Sequence, residues 1–520
     1  MKRIVRGVCG LLSAVMLLST TAMAADYTPV VTSDERVKGF YNVYNGENAS
    51  LQMELAGRYN SGAMNADGGS LEIVQFNARN GFAYAVSGVK GKLIAVDLNA
   101  SLSGDKAAAL NGTEYDIRSL VRADNFTYGD MTSVAVSPDG GTLAAAIQAE
   151  DYTASGIVAV FTCGADGSLT LRGTVSVGVQ PDMVTFTPDG KYILTADEGE
   201  PRMGYTAEGA VDPKGSVTVI EAADLSARTV DFTAFDSAGA RAALAAEGVV
   251  LKKDTAPSVD LEPEYIACDN DTAYITCQEA NAIAVLDIAK GEFTGVWSVG
   301  FEDYSQVPVD LGNDDKTYAP STYEDLKGIR MPDAVSLYQV NGTTYLITAN
   351  EGDSRTWPVG LETDVNESKS KKSPNGKTFE KKVTWFDASQ YDGKVVFFNT
   401  TDYDGLDGKK DYLFGGRSFS VLRVTETGLE EVYDSGSAFE AITAKHFPDF
   451  FNCSNDNIDL EDRSGKKGPE PEGTAVGAVN GRDMTTEAAV TKLYYLFSRH
   501  LTKEEIKEQM SRDLRGELTL

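Results

Sequence analysis

The sequence predicts an all-β fold, a β-propeller of four-stranded blades with a short α-helical C-terminal tail. Three observations carry this expectation. One hairpin pattern recurs along the chain, and further strands follow each hairpin. The units also succeed one another at roughly 50 to 80 residues, a blade-like period. A β-sandwich, the competing all-β arrangement, predicts no likeness from unit to unit.

The hairpins are LEIVQFNARNGFAYAVS (71–87), TSVAVSPDGGTLAAAIQ (132–148), MVTFTPDGKYILTADEG (183–199), EYIACDNDTAYITCQEA (264–280) and DAVSLYQVNGTTYLITANEG (333–352). Each alternates apolar residues, turns at a Pro, Asp, Asn or Gly cluster, and resumes the alternation. Third strands are expected at KLIAVDL (92–98), GIVAVFT (156–162), GSVTVIE (215–221) and NAIAVLDI (281–288). Fourth strands are expected at LTLRGTVSVG (169–178) and FTGVWSVG (293–300). Asp139 and Asp189, in the two PDG turns, read as turn formers. Residues 301–330 and 356–384 are polar and irregular and read as long loops from one rim.

Residues 1–24 read as a secretory signal. Lys2, Arg3 and Arg6 precede the short apolar run Val8–Leu18, and Ala22-Met23-Ala24 is a small-x-small cleavage site. No later segment is long and apolar enough to span a bilayer, so no membrane span is expected after cleavage. An extracellular, periplasmic or cell-surface location follows. With 77 acidic against 47 basic residues, the chain should repel nucleic acid and anionic lipid.

Cys163, Cys268, Cys277 and Cys453 show no C-x-x-C spacing, so a zinc site is not expected. Export permits disulfides, but Cys268 and Cys277 sit at unequal distances from the turn Asp269–Asp271 and read as buried small side chains. His446 and His500 are the two histidines, and they assemble no Ser-His-Asp triad. No catalytic residue is assigned.

The candidate site comes from strand placement. In an antiparallel hairpin, the start of the first strand lies beside the end of the second. Asp182 should therefore meet Asp197, Glu198 and Glu200, while Asp333 meets Asn350, Glu351 and Asp353. Glu262 and Glu264 should approach Gln278 and Glu279, and Gln148 and Glu150 close the hairpin that starts near Thr132. Glu470 and Glu472 of PEPEG hold a similar pre-strand place. In the usual blade order these ends face one mouth. Asp182, Asp197, Glu198, Glu200, Glu262, Glu264, Asp333, Asn350, Glu351, Asp353, Glu470 and Glu472 are the expected metal ligands, and the hard oxygen set favours calcium. Arg202, Arg355 and Arg417 are the expected counter-charges. They either bind an anionic ligand or lock neighbouring blades.

The tail changes character. Val490, Leu493, Tyr494 and Phe497 mark one helical face. Thr502 and Glu505 form a capping box ahead of Ile506, Met510 and Leu514.

QPDMVTFTPDGKYILTADEGEPR (180–202), EPEYIACDNDTAYITCQEANAIAVLDI (262–288), LITANEGDSR (346–355), FGGRSFSVLRV (414–424) and SNDNIDLEDRSGKKGPEPEGTAVGAVNGR (454–482) resemble the choice-of-anchor I family. These are exported bacterial β-propellers, also described as mesenchyme-specific cell surface glycoprotein-like. The resemblance covers residues 30 to 482 and implies a propeller of about seven blades. It implies no assigned activity, although some relatives are described as phosphatase- or phytase-like. DMTTEAAVTKLYYLF and RDLRGELT are instead similar to the carboxyl end of a bacterial type I L-asparaginase. The expected organisation is a signal peptide (1–24), a truncated propeller (25–482) and a helical fragment (483–520), joined at Gly481–Asp483. The asparaginase threonine motif is absent, so asparaginase activity is not expected. The expected function is an extracellular binding module for a small or cell-surface ligand. A calcium-dependent phosphoesterase, with Arg202 and Arg355 on phosphoryl oxygens, is the alternative.

Overall fold

Apolar alternation over short, turn-bounded runs produces five four-stranded antiparallel sheets, each with its strands in sequence order. In this computed structural model the described residues are 71–102 without 89, 110–201 without 123–125, 212–353 without 313–315, 395–453 without 399 and 401, and 460–487 without 480 and 481. Residues 57, 59 and 61 are described as well. The expected signal peptide, the loop 356–384, Arg202, Arg355 and the helical faces from Val490 onward lie outside them.

Blade one comprises Val74–Asn77, Phe82–Ser87, Lys92–Asp97 and Gly112–Asp116. Blade two comprises Tyr128–Val136, Thr142–Ala149, Ser155–Cys163 and Leu169–Val179. Pro181–Phe186, Tyr192–Asp197, Ser216–Glu221 and Ala227–Asp231 form blade three. Blade four is Pro263–Cys268, Thr272–Cys277, Ala282–Asp287 and Glu292–Ser298. Blade five takes Pro332–Val340 and Thr343–Asn350, then Ser418–Val424 and Leu429–Asp434 after a long excursion. The first strands of successive blades are neighbours, the packing that places a propeller's inner strands side by side.

Each pair of blades shares an apolar layer. Val86, Leu93, Val134 and Phe161 join blades one and two, and Val158, Val184 and Ile193 join two and three. Leu194, Val219, Ile275 and Ala284 join three and four, and Ile283, Leu346 and Leu422 join four and five. A middle strand is covered on both faces, so every residue of Tyr192–Asp197 is buried. Outer strands such as Leu169–Val179 keep an exposed edge.

The PDG turns behave as their residues dictate. The Asp139 carboxylate accepts from the Ser137 hydroxyl (2.6 Å) and the Gly141 N–H (2.8 Å). Asp189 accepts likewise from Thr187 (2.7 Å) and Lys191 (3.0 Å). All four described cysteines are free. Cys268 and Cys277 pair with Ala273 and Pro263 at opposite ends of their hairpin.

Two expectations are corrected. Residues 301–330 are not simply a rim loop. Phe301–Asp303 and Leu326–Ile329 pair antiparallel, and Asp411–Phe414 adds to them in parallel. Tyr304, Val309, Leu311 and Leu413 are buried beneath. A parallel partner 85 residues downstream (Leu326 with Asp411) leaves no local turn signal, which is why the segment reads as irregular. The tail is also not helical from residue 483. Arg482–Glu487 is a strand, antiparallel to Thr474–Val479, and it crosses the expected junction. Its run through Thr485 and Thr486 suits a strand. Among the described residues, no helix is long and apolar enough to cross a membrane.

Candidate functional site: an acidic mouth

A repeated irregularity aims the acids. At the start of the first strand in blades three, four and five, the register slips between Pro181 and Met183, Pro263 and Ile266, and Pro332 and Val335. The residue after each proline is left out of the ladder, and it is Asp182, Glu264 or Asp333. A β-bulge of this kind bends the strand and redirects one side chain. Gln180, Met331 and Glu470, each directly before a proline, have φ of 54°, 51° and 47°. The left-handed region is rare for such residues and costs backbone energy.

The bulged ends touch from blade to blade. The Thr132 hydroxyl donates to the Pro181 carbonyl at 2.7 Å, and the Thr276 hydroxyl donates to the Asp333 carbonyl at 2.6 Å. Gln278 Nε2 donates to Glu351 Oε2 at 2.8 Å. The Ala334 N–H donates to the Glu472 carbonyl at 3.2 Å. These contacts tie the strand ends of blade two to blade three, of blade four to blade five, and of blade five to the segment that enters the Thr474–Val479 strand.

The acids then separate into three environments. In the first, Glu198, Glu200 and Glu262 each offer a carboxylate oxygen within 4.8 Å of the others. Two oxygens bound to one calcium at about 2.4 Å are at most about 4.8 Å apart, so the spacing fits a shared cation. Glu198 and Glu262 are buried and Glu200 is half-buried. The Glu198 N–H donates to the Gln180 carbonyl, and Gln180 Nε2 donates to the carbonyls of Tyr152 (3.2 Å) and Glu200 (2.8 Å). Gln180 thus braces two of the three ligands.

The second environment is closed by a lysine. Lys467 Nζ lies 2.8 Å from Glu470, 3.2 Å from Asp353 and 3.4 Å from Glu351. Burial and the Asp353 and Glu470 charges push the Glu351 carboxyl up, against Lys467 and the Gln278 bond. Burial raises Glu472 further, helped by Glu351, Asp333 and Glu470. The sequence reading missed Lys467, because nothing local marks which lysine of the GKKG segment is buried among acids far off in the chain. Arg417, shut away from solvent, fixes that segment in place by donating to its backbone carbonyls. It is 1% exposed, pairs with Glu440 at 2.7 Å and donates to the carbonyls of Ser464 (2.8 Å) and Lys466 (2.9 Å). In this arrangement its guanidinium is engaged by protein groups on the 464–466 loop and on Glu440.

The third environment removes two expected ligands from the mouth. Asp197 accepts from the hydroxyls of Thr218 (2.7 Å), Thr195 (2.8 Å) and Ser216 (3.1 Å) inside its blade. Burial pushes its carboxyl up to about 7 despite those donors. Asn350 stands at the same register position in blade five. It accepts from Thr348 (2.9 Å) and donates to Ser418 (3.0 Å) and Ser420 (2.8 Å). Both are turned inward because the strand alternation sends Glu198 and Glu351, one residue later, toward the mouth. Asp182, Glu264 and Asp333 are buried at the bulges, outside the three-glutamate group.

A family model described as the choice-of-anchor I domain matches residues 72–497. The "Mesenchyme-specific cell surface glycoprotein" of Strongylocentrotus purpuratus is 28% identical over 261 residues, 43% of this chain and 33% of that protein. "Gigasin-3a" of Magallana gigas is 41% identical over 107 residues, 19% of this chain and 37% of that protein. "L-asparaginase 1" of Escherichia coli (strain K12) is 56% identical over 43 residues, 8% of this chain and 13% of that enzyme. The chain thus spans well under half the length of each of these relatives.

Proposed function

This chain belongs to the choice-of-anchor I family, and on that footing we propose that it is an exported cell-surface binding module whose mouth holds a calcium ion. The observation that carries the cation is the convergence of Glu198, Glu200 and Glu262 within 4.8 Å. Three carboxylates crowded in a partly buried site repel one another unless a cation joins them, and an all-oxygen set suits a hard divalent ion. The surface location is supported by the family and by the description of the sea-urchin relative as a cell surface glycoprotein.

The role of the ion follows from where its ligands sit. Glu198 and Glu200 follow the second strand of blade three, whereas Glu262 enters blade four. A bound ion would bridge the two blades at their inner ends and hold the Gln180 brace in register. Its contribution would be charge neutralisation and rigidity at the face where a ligand approaches.

Calcium titration of the full chain by calorimetry, paired with thermal melts in calcium and in chelator, tests this reading. Extracellular modules bind calcium at roughly 10⁻⁴ to 10⁻³ M, so calcium at 100 times the dissociation constant should stabilise the fold by about 2.7 kcal/mol. Glu200→Gln and Glu262→Gln should each reduce that shift. A folded wild-type chain whose melting is the same in calcium and in chelator would overturn the proposal.

A further inference from the structure

Glu198 has register counterparts in the neighbouring blades. In blade three the ladder pairs Ala196 with Met183 and then Asp197 with Pro181, which sets Glu198 one residue beyond. In blade five the last pair is Asn350 with Pro332, followed by Glu351, and in blade four it is Cys277 with Pro263, followed by Gln278. Blade two slips at the same point. Ala146 pairs with Ser133 and Ile147 with Met131, leaving out Thr132, so the counterpart is Gln148.

The two glutamines differ in what they reach. Gln278 donates across the blade boundary to Glu351, the counterpart residue of the next blade, at 2.8 Å. Gln148 is 1% exposed, yet neither its Nε2 nor its Oε1 has a hydrogen-bond partner among the described residues. A buried amide without partners is costly, and such a group calls for a ligand or a catalytic role. Its hairpin is tied to the blade that carries Glu198 and Glu200. The Thr132 hydroxyl, from the Gln148 hairpin, grips the Pro181 carbonyl. Gln180 ties Tyr152, four residues past Gln148, to the Glu200 carbonyl.

We propose that the Gln148 amide oxygen is a fourth ligand of the cation held by Glu198, Glu200 and Glu262, so that the site spans blades two, three and four. This rests on the cation reading given above. Amide carbonyls are ordinary calcium ligands, and a neutral fourth oxygen completes the inner face without adding charge. Gln278 in the next pair of blades has no such task, because the Lys467 ammonium already neutralises the acids it faces.

The test is calcium calorimetry on the full chain for the wild type, Gln148→Leu and Gln148→Glu, with Glu262→Gln as reference. Gln148→Leu should weaken binding by roughly tenfold and Gln148→Glu should tighten it, since affinity follows ligand number and charge. Gln148→Glu keeps the test decisive if the leucine variant does not fold. If the wild type binds while both variants bind equally well, the assignment of Gln148 is overturned and the three-glutamate site stands. If the wild type binds no calcium, the underlying site itself is overturned.

Discussion

Asp197 and Asn350 occupy one register position in different blades, and each is held by three hydroxyls. The difference between acid and amide traces to the strand beyond. In blade five, Ser418 and Ser420 donate to Asp434 (3.1 and 2.6 Å), so they can only accept from position 350, and an amide supplies the donors. In blade three the matching partner of Thr218 is the neutral Thr229 (3.0 Å), which leaves hydroxyl protons for a carboxylate.

Asp197→Asn should therefore be tolerated, and its benefit should depend on pH. The folded carboxyl titrates near 7, above its unfolded value, so the native state holds the extra proton between about pH 4 and 7. Wild-type stability from this group falls as pH rises through that window. The variant should gain on the wild type by a few kcal/mol at pH 8 and by almost nothing at pH 4, measured by urea denaturation at both.

Asn350→Asp should do the opposite. It sets a second buried carboxylate against the Ser418 and Ser420 hydroxyls already committed to Asp434, which leaves Thr348 as the side-chain donor to position 350. A loss of roughly 3 kcal/mol or more at pH 8, shrinking in acid, is expected from denaturant melts.

Gly178 belongs to the last strand of blade two and packs on the Asp197 cage. A Cβ there would lie 2.3 Å from Ser216 Oγ and 2.5 Å from Asp197 Oδ2. Gly178→Ala should cost about 1–3 kcal/mol through overpacking. In the Asp197→Asn background the cost should persist, since the clash is steric, and a double-mutant cycle reads this directly.

Lys467→Met removes the cation shared by Glu351, Asp353 and Glu470. Stranding those acids should cost about 3–5 kcal/mol at pH 8. The raised carboxyls of Glu351 and Glu472 take up protons first as pH falls, so the deficit should narrow in acid. Chemical denaturation at pH 8 and pH 5 provides the comparison.

Much of this was legible in the sequence. Alternating runs such as YILTAD with PDG or NG turns read as hairpins, and pairing brings Asp182 toward Glu198 and Glu200, while the packing of blade four beside blade three adds Glu262. What escaped depends on geometry that composition does not encode. The bulges at Pro181, Pro263 and Pro332 take Asp182, Glu264 and Asp333 out of the ladder, and strand alternation turns Asp197 into its blade and Glu198 toward the mouth. Lys467 is given no role by the sequence and Arg417 only that of a counter-charge, because their burial depends on partners such as Glu351 and Glu440 elsewhere in the chain. The strand Leu326–Ile329 was hidden for the same reason, its partner being Asp411–Phe414.

The excursion inside blade five bears on how the chain reaches this structure. Asn350 and Ser418, which pair in the second and third strands, are 68 residues apart, whereas Asp197 and Ser216 are separated by 19. Closing the longer loop costs about 1 kcal/mol more in chain entropy, and the parallel pairing within the excursion must also find its distant partner. Blades two to four can form from near neighbours soon after they emerge. Blade five is expected to close later, and the seating of Lys467 among Glu351, Asp353 and Glu470 has to follow it, so the second acidic cluster should be neutralised late in folding.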